Sequence, residues 1–139
     1  VLCRMNRVRR RAGLRPLRVN RCLDRGAEQH TRDMIWRRYF AHGSARGGSF
    51  AQRAQRFGYI PRAPGWRVGE NLAWGTGSSG RARWFVRAWM HSPGHRANIL
   101  SRSFRDVGIA VLRGTPLGIR GRHPRTITVD FGARGRAAC

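Results

Sequence analysis

The chain of 139 residues contains no lysine and only six acidic residues. All 29 of its basic residues are therefore arginine, and the formal net charge is +23. Arginine keeps its charge at any accessible pH, and its planar guanidinium fits carboxylates and phosphates. Such a charge attracts polyanions, whether nucleic acid, anionic lipid or an acidic cell-surface polymer. The arginines are dispersed, however, and a genome rich in arginine codons would give the same excess, so charge alone identifies no partner.

Long hydrophobic runs are also absent. No apolar stretch approaches the roughly 18 residues that a membrane-spanning helix needs, so no transmembrane segment is expected. No signal peptide is visible and the first residue is Val1 rather than methionine, which we interpret as a secreted chain after processing. With 40% hydrophobic residues, residues 1–139 are predicted to form one domain with a buried core, assumed to be a monomer.

Cysteine is scarce, with only Cys3, Cys22 and Cys139. None forms a C-x-x-C pair or lies at zinc-finger spacing from a histidine. Three thiols allow one disulfide, and the preferred pair is Cys3–Cys139 because chain termini often meet at a domain surface. Such a disulfide would indicate an oxidising compartment, and the alternative is three reduced thiols.

The spacing of apolar residues predicts helices early in the chain and strands at its end. Helices are expected over residues 2–12, 20–38, 49–57, 81–90 and 93–100, and strands over 68–74, 104–112 and 126–131. This order predicts an α+β fold in which helices pack on a small antiparallel sheet. We expect residues 75–80 to form a flexible turn and residues 132–139 to form a mobile tail.

Asn20 is the expected N-cap of the second helix. The predicted buried face of that helix is Leu23, Ala27, His30 and Met34. Because His30 lies on this apolar face, we interpret it as a hydrogen-bonded core histidine and not as a ligand.

The later elements carry two further expectations. The fourth helix is expected to bury Phe85, Ala88 and Trp89, and Ser92 is the expected N-cap of the fifth. In the strand that follows, Gly108 alternates with larger residues, which predicts that another part of the chain approaches this face closely.

Three residues in short turns are candidates for chemistry. Glu70 is the only acidic residue between Asp33 and Asp106. His42 and His95 each lie beside a glycine in a predicted turn. Two imidazoles and one carboxylate suffice for an open zinc site with water in the fourth position. The same trio could instead transfer protons without a metal, or Glu70 could be structural, accepting hydrogen bonds from backbone amides.

Two other interpretations are weaker. Residues 75–80 fit the glycine-rich pattern of dinucleotide sites, but such a site needs a parallel βαβ unit and an acid about twenty residues later. The next acid is Asp106, so we interpret this segment as a loop beside the cleft. The sequence has no helix-turn-helix, zinc-finger or aromatic RNA-binding motif, so no specific nucleic-acid site is expected.

Ordered motifs cover nearly the whole chain. They are Asn6-Arg7-Val8-Arg9, Gly13-Leu14-Arg15-Pro16-Leu17, Tyr39-Phe40-Ala41-His42, Phe57-Gly58-Tyr59, Gly69-Glu70-Asn71-Leu72-Ala73, Trp89-Met90, Ser92-Pro93-Gly94-His95-Arg96, Asn98-Ile99-Leu100, Val107-Gly108-Ile109-Ala110 and Asp130-Phe131-Gly132. This set resembles the CAP superfamily, which includes cysteine-rich secretory proteins, venom allergens and plant pathogenesis-related proteins, in its bacterial secreted form, the SCP domain. The resemblance implies a secreted protein with a three-layer α-β-α sandwich.

The resemblance also implies a ligand-binding cleft. His42 resembles the first histidine of the family's cleft, Glu70 the glutamate of its Gly-Glu-Asn motif, and His95 the second histidine. The implied cleft residues are therefore His42, Glu70, Asn71 and His95, with Zn²⁺ or another divalent cation as the candidate cofactor at His42, Glu70 and His95.

One part of the family pattern is missing. The cleft of the family typically holds a second glutamate, but His91 and Ser92 stand where it is expected. The family's paired cysteines are not evident either. Its disulfides therefore do not transfer to this chain, and a full set of two histidines and two glutamates is not expected.

Three functions are compatible with this sequence, since a shared fold does not fix the chemistry. The preferred one is a secreted domain whose cleft binds an extracellular ligand or a divalent metal. The second is a hydrolase in which Glu70 is the base and His42 or His95 polarises the substrate. The third is a basic protein that binds anionic polymers, lipid or nucleic acid through its surface, while the cleft residues serve the fold.

Overall fold

The computed structural model describes residues 1–61 and 64–134. The helices are α1 (Leu2–Arg11), α2 (Arg21–Arg37), α3 (Phe50–Arg56), α4 (Ala82–Met90) and α5 (Pro93–Leu100), with a short 3₁₀ helix at Gly77–Gly80. The strands are β1 (Arg18–Val19), β2 (Arg67–Gly75), β3 (Asp106–Arg113) and β4 (Arg125–Ala133). They form one sheet in the order β1-β3-β4-β2. The predicted α+β class and the extents of the longer elements are confirmed.

The sheet lies between two helical layers because its strands alternate in polarity. Along β4, Ile127, Val129 and Phe131 are fully buried in the main core, which also contains residues of α1, α4 and α5. The alternate residues face α2, where Thr31 donates a hydrogen bond to Thr128 Oγ1 at 2.7 Å. This arrangement is the predicted three-layer α-β-α sandwich.

The expected antiparallel sheet is formed by β2, β4 and β3, and one short parallel strand, β1, makes the whole sheet mixed. β2 and β3 pair antiparallel with β4, but β1 pairs parallel with β3. Two backbone hydrogen bonds hold β1, from Arg18 N to Arg105 O at 2.8 Å and from Asn20 N to Val107 O at 2.9 Å. A strand of two residues shows no alternation, which is why the sequence pattern did not predict it.

The expected start of α2 is confirmed. Asn20 Oδ1 accepts hydrogen bonds from Cys22 N at 3.0 Å and Leu23 N at 3.2 Å, as an N-cap should. The predicted apolar face is buried, with the residues Leu23, Ala27, His30 and Met34.

Some local expectations need correction. Cys3 is exposed and free, so the predicted Cys3–Cys139 disulfide is wrong. Cys22 is disulfide-bonded, and Cys139 lies outside the described residues. In α4, Val86 is buried in place of the expected Ala88, which is only partly covered.

Two segments expected to be flexible contain regular secondary structure. Residues 77–80 form the 3₁₀ helix, in which a Cβ on Gly80 would lie 2.4 Å from the carbonyl oxygen of His123. At the end of the chain, Gly132 pairs with Val68, so the start of the predicted tail belongs to β4. The rest of that tail lies outside the described residues. Within the described ranges no helix is both long and apolar enough to cross a membrane.

Gly108 sets the distance between α2 and the sheet. A Cβ at this position would lie 2.1 Å from the backbone carbon of Leu23 and 2.4 Å from the nitrogen of Asp24. Asp24 Oδ1 also accepts a hydrogen bond from Ile109 N at 2.8 Å, which holds α2 at this distance from the sheet. The predicted close approach at Gly108 is confirmed.

We expect Gly108→Ala to lower the free energy of unfolding by about 3 kcal/mol, because the added methyl group meets backbone atoms that cannot rotate away. Gly94→Ala is the matched control, since no atom lies within 4 Å of a Cβ at Gly94. Urea denaturation of both variants measures the difference. Equal stability of the two variants would show that α2 does not pack on β3 in this way.

Candidate functional site

An open groove of about 310 Å³ lies along β2, the outermost strand of the sheet. It is lined by residues of β2, α4 and α5 and by one aromatic residue that follows α2: Leu72, Ala73, Trp74, Trp84, Ala88, Trp89, Ser92, His95 and Phe40. Phe40 is 41% exposed and Trp84 is 40% exposed, so large apolar side chains line an accessible groove. Of the predicted site residues, His95 contributes directly to its wall.

Alternate residues of β2 face opposite helical layers. Asn71 faces α5, where its Nδ2 donates to the His95 carbonyl oxygen at 3.1 Å and its Oδ1 accepts from Asn98 Nδ2 at 2.9 Å. Asn71 is fully buried. It therefore lies behind the groove and positions α5, whereas the sequence predicted it among the ligand-binding residues.

Glu70 faces the other layer and is the central residue of the site. Its side chain is inaccessible to solvent. Oε1 accepts a hydrogen bond from His42 Nδ1 at 2.7 Å, and Oε2 accepts one from Nη2 of Arg53, a buried residue of α3. Both oxygens are therefore engaged, and the negative charge is matched within the protein. The sequence left open whether Glu70 takes part in chemistry or serves the fold, and the structure places it in an ion pair with Arg53.

His42 connects this buried carboxylate to solvent. Its side chain is 55% exposed. Because a carboxylate only accepts hydrogen bonds, Nδ1 must carry the proton, and Nε2 then has a free lone pair in the neutral ring. The hydrogen bond that His42 donates to Glu70 raises the pKa of His42, and burial opposes this effect.

His95 lies on α5, at the opposite side of β2. Its Nδ1 is 2.9 Å from Ser92 Oγ, so the Ser92 hydroxyl bonds to this ring and makes no cap to backbone amides. Burial lowers the pKa of His95, and the positive charge of His42 lowers it further. The two rings therefore interact electrostatically, while the carboxylate of Glu70 bonds to only one of them.

The predicted three-ligand metal site is not found in this form. Across residues 1–61 and 64–134, no three histidine, cysteine, aspartate or glutamate side chains are arranged to hold a metal ion. The physical reason is that both oxygens of Glu70 are taken by His42 and Arg53. Metal binding through the two histidines stays a prediction.

His30 lies beneath the site, as expected of a core histidine. It is 1% exposed, and its ring nitrogen Nε2 donates to the carbonyl oxygen of Ala41 at 2.9 Å. Burial lowers its pKa, followed by the positive charge of Arg53. A neutral His30 therefore supports the loop that carries His42.

Sequence reasoning missed Arg53 and Asp130. Asp130 is the cross-strand neighbour of Glu70 on β4 and is buried on the side of α2. Burial raises the pKa of Asp130 well above its ordinary value, and the charge of Glu70 raises it further. Asp130 thus adds a second carboxyl group, but it lies on β4 opposite Glu70 and not among the residues that line the groove.

A model of the cysteine-rich secretory protein family, CAP, matches residues 2–120 of this chain. The uncharacterized protein YkwD of Bacillus subtilis (strain 168) is 35% identical over 104 residues, which cover 75% of this chain and 38% of that protein. The chain therefore spans well under half the length of this curated relative.

Solved structures show the same fold. An extracellular protein containing an SCP domain from Bacillus anthracis str. Ames matches with a TM-score of 0.72 at 26% identity, over 94% of this chain and 38% of that one. An outer surface protein from Borrelia burgdorferi matches with a TM-score of 0.78 at 20% identity, over 96% and 90%. At that identity the second likeness shows the fold alone.

Removing the cation that neutralises Glu70 should destabilise the protein strongly. We expect Arg53→Met to cost about 3–5 kcal/mol, because it leaves a buried carboxylate without its guanidinium. Arg32→Met is the matched control, since Arg32 also pairs with a glutamate, Glu28, but at an exposed site. Thermal and urea unfolding should show little change for this control. Equal losses in both variants would contradict the role of Arg53.

The His42–Glu70 hydrogen bond should be visible in a histidine titration. We expect the pKa of His42, followed by NMR, to fall in Glu70→Gln, because a neutral amide no longer stabilises the imidazolium. Since the folded-state pKa is raised, this pair stabilises the fold at low pH and loses its contribution as pH rises through that pKa. The titration curve of His123 is the internal control. An unchanged His42 curve would show that Glu70 does not bond to it.

Proposed function

The chain belongs to the cysteine-rich secretory protein family, and from this premise we propose that it is a secreted domain whose groove along β2 binds an extracellular ligand through a divalent metal ion. His42 and His95 are the proposed protein ligands of that ion. The supporting observation is that both rings use Nδ1 in hydrogen bonds within the protein, His42 to Glu70 and His95 to Ser92. This leaves the two Nε2 atoms for a ligand.

The chemistry of the donor set fits zinc in part. Neutral imidazole nitrogen is a preferred zinc ligand, and histidine ligands usually donate their other ring N–H to a carboxylate or another acceptor. Glu70 supplies such a carboxylate to His42 at 2.7 Å. Two imidazoles leave several coordination positions for water or an incoming ligand. A bound zinc ion would supply a Lewis acid that attracts oxygen atoms of that ligand.

The shape of the groove supports binding of a molecule larger than an ion. Its volume of about 310 Å³ is at the lower end for small-molecule sites. Phe40 and Trp84 offer exposed aromatic surface, while His95 offers a polar group in the wall. Apolar walls with few polar groups are typical of ligand sites. We infer that the metal fixes one polar end of the ligand and the aromatic side chains cover its apolar part.

Secretion is supported by the relatives of the chain. The similar solved structure from Bacillus anthracis is described as an extracellular protein, and it is 26% identical over 94% of this chain. We therefore place the site outside the cell, where metal ions and wall or lipid components are accessible.

The hydrolase hypothesis has less support. Glu70 has no accessible side-chain surface and both of its oxygens are engaged, so it cannot act as the base on a bound substrate. Ser92 bonds to His95, but Glu70 bonds to His42, so serine, histidine and glutamate do not form one connected chain. A nucleophile, its base and an orienting acid must be in such contact.

Zinc titration by calorimetry tests the proposal. We expect His42→Ala and His95→Ala each to weaken binding by at least about tenfold, because each removes one of two protein ligands. Binding to the wild type should weaken as pH falls through the raised pKa of His42, since a protonated ring cannot bind metal.

The matched control is His123→Asn, which removes an exposed imidazole at a position with φ of 50°, a conformation that asparagine tolerates. It should bind zinc like the wild type. If all four proteins give the same titration curve, the two histidines do not form a metal site.

A further inference from the structure

A second groove, of about 250 Å³, lies between α1 and α4 and is lined mainly by arginines. Three of them belong to α1 and two to α4: Arg4, Arg7, Arg11, Arg83 and Arg87. All five are exposed. The remaining lining residues are aliphatic or sulfur-containing: Val8, Val86 and Met90.

The two helices place these arginines in rows. Arg4, Arg7 and Arg11 are spaced three and four apart, so they lie on one face of α1 and extend along roughly 10 Å of its axis. Arg83 and Arg87 are spaced four apart on α4 and form the opposite side of the groove.

Arg9, also on α1, differs from the arginines of the groove. It is fully buried, and its guanidinium donates to the carbonyl oxygens of Ile99, Ser101 and Phe104 at 2.8, 3.0 and 3.1 Å. Its donors are used within the protein, and it joins α1 to the end of α5. The arginines of the groove have no such partners in the described part of the chain.

No side-chain carboxylate of the described residues neutralises the groove. The six acidic residues lie on α2 or on the sheet, so neither α1 nor α4 carries one: Asp24, Glu28, Asp33, Glu70, Asp106 and Asp130. Among the described residues, none of the five arginines takes part in an ion pair. Like charges held this close repel one another and raise the local affinity for anions.

We propose that the α1–α4 arginine groove binds a linear polymer that carries a phosphate in each repeating unit. Guanidinium groups bind phosphate oxygens through paired hydrogen bonds. Rows of arginines on two facing helices suit a chain of anions better than a single ion, because successive phosphates meet successive side chains.

The lining of the groove argues against nucleic acid as the occupant. Proteins that bind single strands stack the bases on aromatic side chains. The lining contains no aromatic residue, and its apolar surface comes from Val8, Val86 and Met90. Phosphate groups can be held here, but the groove itself offers no aromatic side chain on which bases could stack.

This site is distinct from the proposed metal site, but the two grooves lie on neighbouring faces of the same helix. On α4, Trp84 and Ala88 line the β2 groove, whereas Arg83 and Arg87 line the arginine groove. A polymer bound at the arginine groove would therefore hold the β2 groove close to an anionic surface without occupying it.

Binding of inorganic polyphosphate, measured by calorimetry at several salt concentrations, tests the proposal. The test variant is Arg7→Gln with Arg87→Gln, which removes one charge from each side of the groove and keeps good helix formers. We expect affinity to fall roughly tenfold or more. The slope of log affinity against log salt should fall by roughly 0.7 for each phosphate that the variant no longer neutralises.

The matched control is Arg56→Gln with Arg120→Gln, which makes the same change in net charge at exposed positions elsewhere. It should retain affinity within about twofold. Equal losses in the two double variants would overturn the proposal, because net charge alone would then explain binding. Circular dichroism and zinc titration of each variant confirm that the fold and the metal site are unaffected.

Two further ligands test the chemistry. Polyglutamate and single-stranded DNA of equal charge should both bind more weakly than polyphosphate. Equal or tighter binding of either one, lost in the Arg7→Gln with Arg87→Gln variant, would overturn the assignment to a phosphate polymer without bases.

Discussion

A carboxylate that is removed from water must be matched by hydrogen-bond donors or positive charge, and in this protein Glu70 is that carboxylate. It accepts one hydrogen bond from the guanidinium of Arg53 and one from the imidazole of His42. These interactions join β2 to α3 and to the loop after α2. The pairing also fixes the orientation of the His42 ring. The proposed role of His42 as a metal ligand therefore depends on it.

Sequence patterns predicted the architecture well where an element is long or has a distinctive start. The N-cap at Asn20 and the apolar face of α2 are local features, and they are confirmed. Gly108 predicted a close approach without showing which element approaches. β1 was missed, because a pair formed by two residues depends on the neighbouring strand and not on its own sequence.

The site was predicted in part for a similar reason. The motifs around His42 and Glu70 identified residues that do lie together. Arg53 was missed because one buried arginine among many exposed ones has no distinguishing neighbours in the sequence. Asp130 was missed because only the register of β2 on β4 places it opposite Glu70. Alternation of polar residues with Ile127, Val129 and Phe131 was the available signal for a second, polar face of that strand.

The unusual charge of the chain also becomes easier to interpret in three dimensions. All six acidic residues lie on α2 or the sheet. The helices α1, α4 and α5 therefore carry arginines but no aspartate or glutamate. One face of α4 therefore lines an aromatic groove with a histidine, and a neighbouring face lines an arginine groove.

The most direct test of the account is to determine which nitrogen of the His42 ring carries the proton. Long-range proton–nitrogen NMR of the metal-free protein measures this, at a pH at which the ring is neutral. A proton on Nδ1 and a free lone pair on Nε2 are predicted, since the carboxylate of Glu70 can only accept a hydrogen bond. A proton on Nε2 would contradict the account, because the free lone pair of His42 would then face Glu70 and Nε2 could not bind a metal ion.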